Sequence, residues 1–308
     1  MIDEREKIWI NGMYVPWNDA KIHVLTHSLH YGTGVFEGIR CYKTINKKRA
    51  IFRLDDHINR FINSSKIYFM KVEYSKSELH DIIVELVKNS KFDECYVRPI
   101  AYYSYGKMGV NPLPNTTSVS IAAWKWDEYL KKDIKDVGIK AMISSWARID
   151  GRTMPVHAKS TANYANSALA RIDALNSGFD EAIMLNTNGM VVEASAENIF
   201  IVKNDLLMTP PISSGALDGI TRDSVLKLAK EYGIDHEVVD VSRDELYIAD
   251  EVFLTGTAAE IKTVSEIDNR MIGNNKKYNI TNKLKQMFES VVKGTDEKFS
   301  DQWLTYID

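Results

Sequence analysis

Residues 127–136 are charged and show no strong hydrophobic periodicity, and they separate two long stretches in which strand and helix patterns alternate. A run that presents no apolar face has nothing to bury, so it reads as a connection between cores. A chain of 308 residues is long enough to build two of them. The pattern predicts a small N-terminal α+β domain over residues 1–126, an interdomain loop over 127–137 and a larger domain over 138–308.

In the first domain, Ile8-Trp9-Ile10 and Met13-Tyr14-Val15 flank Asn11-Gly12, a dipeptide that accepts the two positive φ values of a tight hairpin. A strand is predicted over 35–42. Leu54, Ile58, Phe61, Ile62 and Ile67 then read as one helical face, with Asp55 or Asp56 available as the cap. The capping box from Ser75 to Glu78 opens a second helix. Strands over 95–103 and 117–124 enclose a loop over 109–114 rich in Gly and Pro. In the second domain, strands are predicted over 137–144, 181–185, 190–193, 199–202 and 251–255. Helices are predicted over 162–177, from Gly219 to a stop at Gly233, and over 281–293, and a capping box runs from Ser242 to Glu245.

Composition removes several classes of function. The net charge of −3 gives no electrostatic footing for nucleic acid or an anionic membrane. Cys41 and Cys95 are too few for a disulfide framework or a four-thiolate metal site, which suits a reducing cytoplasm. The charged N-terminus precedes no long apolar run, so neither a signal peptide nor a membrane span is expected. His23, His27 and His30 lie close together, but no carboxylate or thiolate completes a metal-ligand spacing, and no metal is expected. The glycines over 32–38 have the wrong spacing for a dinucleotide loop and read as a site of close backbone approach.

The chemistry centres on Lys159, set among small, apolar and hydroxylic residues from Met154 to Tyr164. Taken alone it is an ordinary loop lysine. An ammonium withdrawn from water loses hydration, however, and its neutral amine can condense with a carbonyl. Gly219-Ile220-Thr221 offers backbone N–H groups and a hydroxyl at a helix start, where the dipole favours a phosphate. Gly256-Thr257-Ala258-Ala259 offers the same combination after a strand. With a carboxylate-bearing strand at Glu193, these features suit a phosphorylated aldehyde cofactor, pyridoxal phosphate.

The ordered motifs resemble the fold type IV pyridoxal-phosphate transaminases, and among them the branched-chain amino acid aminotransferases. They are the run from Tyr31 to Arg40, Tyr96-Val97-Arg98-Pro99, Ala158-Lys159, Glu193 to Asn198, Gly219 to Arg222, and Thr255 to Glu260. The resemblance covers the chain to about Lys262. It implies a two-domain fold, α+β and α/β, whose larger C-terminal domain carries a pseudo-barrel sheet. It implies reversible transfer of the amino group of leucine, isoleucine or valine to 2-oxoglutarate, with Lys159 as Schiff-base and proton-transfer lysine. For the cofactor it implies Glu193 at the pyridine nitrogen, Tyr164 at the ring hydroxyl, and Arg60, Ile220, Thr221 and Thr257 at the phosphate. Leu217 and Ala196 would sandwich the ring.

For the substrate, the resemblance implies Tyr96, Thr257 and Ala258 at the carboxylate, Arg98 for the distal carboxylate of glutamate, and Gly38 in the pocket. An apolar lining would come from Phe36, Trp126, Tyr129 and Tyr164, with Tyr31 and Val110 lent by a neighbouring subunit. A cytoplasmic homodimer, assembled further as a hexamer or not, is the expected active unit. The chain departs from the family pattern at Ala194 and Ala196, where glycines are usual, at Lys107, and over Ile261-Lys262-Thr263-Val264. None of these removes a catalytic group, though Lys107 bears on substrate range. D-amino acid or (R)-amine transaminases and aminodeoxychorismate lyase are the alternatives on the same cofactor, and Tyr96-Val97-Arg98-Pro99 argues against them.

Overall fold

The computed structural model describes residues 6–126, 138–273 and 278–307, and the chain forms two compact units. Residues 127–137, expected as the interdomain loop, lie outside the described residues. The first unit comprises Met1–Asp127 together with Ala158–Ala162 and Ser290–Asp308. The partition is therefore not a single cut, because two later stretches that the sequence assigned to the second domain join the first unit.

The first unit is organised on one antiparallel sheet. Its strands are β1 (Lys7–Ile10), β2 (Met13–Pro16), β3 (Gly34–Phe36), β4 (Ile39–Lys43), β5 (Arg49–Phe52), β6 (Cys95–Tyr103), β7 (Thr117–Lys125) and a C-terminal strand Leu304–Ile307. The order is C-terminal strand, β5, β4, β6, β7, β1, β2, with β3 paired to β6. The C-terminal strand pairs with β5 from Leu304↔Phe52 to Ile307↔Arg49, which is why the chain's end returns to this unit. β6 and β7 pair from Cys95↔Lys125 to Tyr103↔Thr117, the longest ladder of the sheet, and give it a rigid centre.

Helices α2 (Leu54–Ile67) and α3 (Lys76–Asn89) follow the short α1 (His27–Tyr31). Leu54, Ile58 and Phe61 of α2 and Leu79, Ile83 and Val87 of α3 share one core with Val97, Val119 and Ile121 of the sheet. Ile67, expected on that face, is exposed. Thirteen residues after Leu54, at ~100° per residue, it falls on the opposite side of the helix. The N-cap of α2 is Arg53 in the left-handed region, with no side-chain cap; Asp56 instead pairs with the Arg53 Nε at 2.7 Å. The Ser75 capping box of α3 is present in both directions. The strand predicted over 35–42 is two strands, β3 and β4, interrupted at Glu37-Gly38.

The second unit comprises Glu128–His157 and Asn163–Glu289. Its strands are β8 (Ile139–Ile143), β9 (Glu181–Leu185), β10 (Val191–Ala194), β11 (Asn198–Lys203), β12 (Leu206–Thr209), β13 (His236–Val238), β14 (Glu251–Gly256), β15 (Glu260–Ile267) and β16 (Arg270–Met271). The order runs β10, β9, β8, β15, β14, β11, β12, β13, with β16 on β15. β10 also pairs with β11, through Glu193↔Asn198, so β10, β9, β8, β15, β14 and β11 close into a ring. This is the pseudo-barrel. Ile183, Val191, Ile199, Val252, Leu254 and Val264 fall in one buried core, as alternate positions of strands that surround a common interior should. Helix α4 (Asn163–Asn176) lays Ala170 and Ala174 against Ala182 and Met184 of β9, and these small side chains permit close approach. Helix α5 (Ile220–Glu231) buries Val225, Leu228 and Ala229. Helix α6 (Arg243–Ile248) follows, and α7 (Asn279–Val292) begins in this unit, its residues from Ser290 onward being counted with the first.

Candidate active site

Lys159 belongs to the segment Ala158–Ala162 of the first unit and runs beside β3 as a short added strand. The Phe36 amide donates to the Lys159 carbonyl at 2.9 Å, the Thr161 amide donates to the Gly34 carbonyl at 2.9 Å, and Val35 bridges Ser160. The Lys159 amide in turn donates to the Ser64 hydroxyl of α2 at 3.0 Å. The backbone on both sides of the lysine is thereby held. Its Nζ lies 5.4 Å from the centre of the Phe36 ring. Burial first, and the Arg60 guanidinium second, push the amine down to about 8. The residue as a whole is half-buried, and its amine lies in the withdrawn part.

Glu37 sits in the break between β3 and β4, fully buried. Its Oε1 accepts from the Arg60 Nε at 2.6 Å, and its Oε2 accepts from an Arg60 terminal nitrogen at 2.9 Å. His57 Nδ1 meets Oε2 at 2.8 Å, and the Gly38 amide donates to it at 3.2 Å. Burial alone would raise this carboxyl, but the Arg60 charge and the His57 and Arg60 hydrogen bonds hold it well below the usual carboxylate range. Burial pushes His57 down, which favours a neutral imidazole that donates from Nδ1. Arg60, expected at the cofactor phosphate, is thus oriented by a carboxylate.

β6 carries Tyr96 and Arg98 on one face by its period of two. Tyr96 stacks on Trp126 with ring centres 4.5 Å apart, and a Cβ on Gly38 would fall on the Tyr96 hydroxyl, so a larger residue there would have to displace the Tyr96 ring. The Arg98 guanidinium lies over Phe36 at 4.7 Å and over Tyr96 at 5.3 Å. Among the described residues its Nε is buried without a hydrogen-bond partner. Lys159, Phe36, Gly38, Arg60, Tyr96, Arg98 and Trp126 therefore form one constellation within this unit. Tyr31, 39% exposed, and Val110, 83% exposed, lie on α1 and in the loop before Pro112. Tyr129 lies outside the described residues.

The second unit holds another constellation around Glu193, at the pairing that closes the ring. Glu193 Oε1 pairs with an Arg148 terminal nitrogen at 2.8 Å. Its Oε2 accepts from the Asn198 amide at 3.1 Å and from the Leu217 backbone amide at 3.1 Å. Asn198 Nδ2 also donates to the Leu217 carbonyl at 2.9 Å, tying the Leu217 loop to the carboxylate. Gly219 caps α5 without a side-chain hydrogen bond, and a Cβ there would strike the side-chain Oδ1 of Asn198. Backbone and side chain meet too closely for any other residue. Residues 257–259 form the turn between β14 and β15, so Thr257 and Ala258 present backbone donors from a hairpin, with no helix following. The buried Thr255 hydroxyl beside that turn has no hydrogen-bond partner among the described residues. Tyr164 stands in the first turn of α4, half-buried, and Ala196 is exposed at the β10–β11 turn.

A family model described as amino-transferase class IV matches residues 34–267. The chain belongs to the class IV aminotransferases. A branched-chain-amino-acid aminotransferase of Salmonella typhimurium is 44% identical over 297 residues, 96% of this chain and 95% of that protein. The crystal structure of the Escherichia coli branched-chain amino acid aminotransferase aligns with a TM-score of 0.95 at 41% identity, covering 99% of this chain and 100% of that one. That of the branched-chain amino acid aminotransferase from Thermobaculum terrenum, in its PLP-form, aligns with a TM-score of 0.92 at 35% identity, covering 99% of both chains.

Three residues of this class IV aminotransferase escape a sequence reading of the site: Glu37, His57 and Arg148. Glu37 is a charged residue inside an apolar and glycine-rich run, a pattern that signals a buried polar contact without revealing its partner. His57 shares a helix face with Arg60, three residues on. Arg148 carries no local signal. The clustered histidines bond elsewhere: His27 to Thr33 and the Gly109 carbonyl, and His30 to the Val24 carbonyl. Among the described residues no helix is long and apolar enough to cross a membrane.

Proposed function

We infer that this class IV aminotransferase is a branched-chain amino acid aminotransferase that uses pyridoxal phosphate. It exchanges the amino group of leucine, isoleucine or valine with 2-oxoglutarate in two half-reactions, releasing a branched 2-oxo acid and then glutamate. The observation that carries the reading is Lys159: an amine pushed down to about 8 beside an oriented guanidinium, in a chain 44% identical to a named relative. The residues fit the cofactor. The amine suits its aldehyde, Arg60 its phosphate, and the carboxylate of Glu193 its ring nitrogen. The uncapped start of α5 and the unpartnered Thr255 hydroxyl are donors suited to an anion.

When bound, the cofactor supplies an aldehyde that takes up the amino group and a ring that withdraws electrons from the substrate Cα. Lys159 would hold the cofactor's aldehyde carbon through Nζ, and the same Nζ, as a free amine, would take the proton from the substrate Cα and deliver it to that carbon. Arg60, Ile220, Thr221 and Thr257 would hold the phosphate, Tyr164 the ring hydroxyl, and Leu217 and Ala196 would flank the ring. Tyr96, Thr257 and Ala258 receive the substrate carboxylate. Phe36, Gly38, Trp126, Tyr129 and Tyr164 shape an apolar pocket. Arg98 meets the distal carboxylate of glutamate; its unpartnered Nε and aromatic bed suit a guanidinium that turns aside when an alkyl chain enters.

The active unit is a homodimer in the cytoplasm, in which Tyr31 and Val110 reach a neighbouring subunit's pocket. Their exposure supports this, together with exposed Val24, Leu29, Met108 and Leu113 in the same two segments. Purified protein loaded with pyridoxal phosphate should lose its visible absorbance with L-leucine and regain it with 2-oxoglutarate. Loss with a D-amino acid but not with L-leucine would overturn the substrate class.

A further inference from the structure

The side of α2 that faces Glu37 bears His57, Arg60 and Ser64, spaced three and four residues apart and so aligned on one helix face. This face does two things at once. His57 and Arg60 grip the Glu37 carboxylate, and Ser64 accepts the backbone amide of Lys159. Phe36, next to Glu37, donates to the Lys159 carbonyl. The carboxylate, the guanidinium and the lysine backbone are consequently parts of one hydrogen-bonded frame.

We propose that Glu37 is a positioning residue for the phosphate end of the cofactor: pinned by His57 and the Gly38 amide, it fixes the Arg60 guanidinium in one orientation relative to the Lys159 anchor. An arginine side chain has several rotatable bonds and loses rotamer entropy when it binds an anion. Glu37 engages the Nε and one terminal nitrogen of the fork, so the plane of the guanidinium is set before an anion arrives. The proposal rests on the reading that pyridoxal phosphate is bound.

Charge and geometry make opposite forecasts here. Glu37 neutralises Arg60 within the protein, so by charge alone its removal would strengthen phosphate binding. If orientation governs, its removal weakens it. Equilibrium binding of pyridoxal phosphate and of pyridoxal, which lacks the phosphate, is measured by absorbance on the full chain stripped of cofactor, at a pH where Lys159 is already neutral, so that the influence of Glu37 on its proton affinity does not enter. Glu37→Gln should weaken pyridoxal phosphate by about 10-fold or more, the scale on which loss of an outer hydrogen-bond partner weakens a bound ion, and leave pyridoxal unchanged. Adding Glu37→Gln to Arg60→Lys should cost nothing further, because the first residue acts through the second.

Unchanged or tighter binding of pyridoxal phosphate overturns the proposal, as does equal weakening of both ligands, which marks a general structural defect. Should Glu37→Gln not fold, Glu37→Asp keeps the charge, withdraws the carboxylate by one methylene, and must show the same selective loss. Failure of the unsubstituted chain to bind pyridoxal phosphate would instead overturn the cofactor reading, and the proposal with it.

Discussion

Two buried glutamates are each paired with an arginine, and they differ in what surrounds the pair. Glu37 lies in a strand break and is held by a guanidinium, an imidazole and one backbone amide. Glu193 lies at the pairing that closes the second unit's ring and is held by a guanidinium and two uncharged amide donors. Glu37 shares its surroundings with a titratable lysine, so its charge enters that lysine's proton affinity. Glu193 shares its surroundings with the Leu217 loop and the start of α5, so its contacts set backbone geometry. Similar pairs thus serve different ends according to the element that carries them.

The largest expected effect removes what the Glu37 frame supports. Lys159→Ala should lower leucine-dependent glutamate formation by roughly 10^4-fold or more while circular dichroism stays native. Substantial residual turnover would leave the Glu37 side of the comparison without a catalytic partner. Next is the Glu193 pair: Arg148→Ala leaves a buried carboxylate without its countercharge and should cost about 3–5 kcal/mol in urea unfolding. A loss below about 1 kcal/mol would mean that Asn198 and Leu217 suffice, against the ion-pair account.

The third test concerns charge. The neutral amine is the reactive form, so its fraction falls as pH drops below the lysine's pKa. The rate at which the stripped chain condenses with pyridoxal phosphate should climb about tenfold per pH unit and level off near pH 8. Glu37 raises this lysine's proton affinity, so Glu37→Gln should move the levelling point to lower pH, whereas Arg148→Ala should leave it in place. A rate still rising above pH 10 in the unsubstituted chain would refute the shielded amine. The smallest effect is the control. Ser75→Ala removes the cap of α3 and should cost about 1 kcal/mol without moving the pH profile.

Local patterns carried much of the fold. The Asn11-Gly12 hairpin, the Ser75 capping box, the strands expected over 95–103 and 117–124 and the helix opened by Gly219 are each signalled by neighbours within a few residues. The C-terminal strand Leu304–Ile307 was not legible, because it becomes a strand only by pairing with β5, some 250 residues earlier. The break at Glu37-Gly38 was hidden in the same way. Its cause is a carboxylate turned toward His57 and Arg60, which no local periodicity encodes.

The site divides along the same line. By itself the sequence determined the chemical types: an amine in apolar company, a carboxylate on a strand, a glycine-capped helix start and an arginine on β6. Those types follow from composition and spacing, which are one-dimensional. Only the tertiary structure decided that Arg60 meets Glu37, that Arg148 backs Glu193, and that Lys159 is pushed down to about 8. Proton affinity and orientation depend on charges and donors a few ångströms away, and those neighbours come from distant parts of the chain.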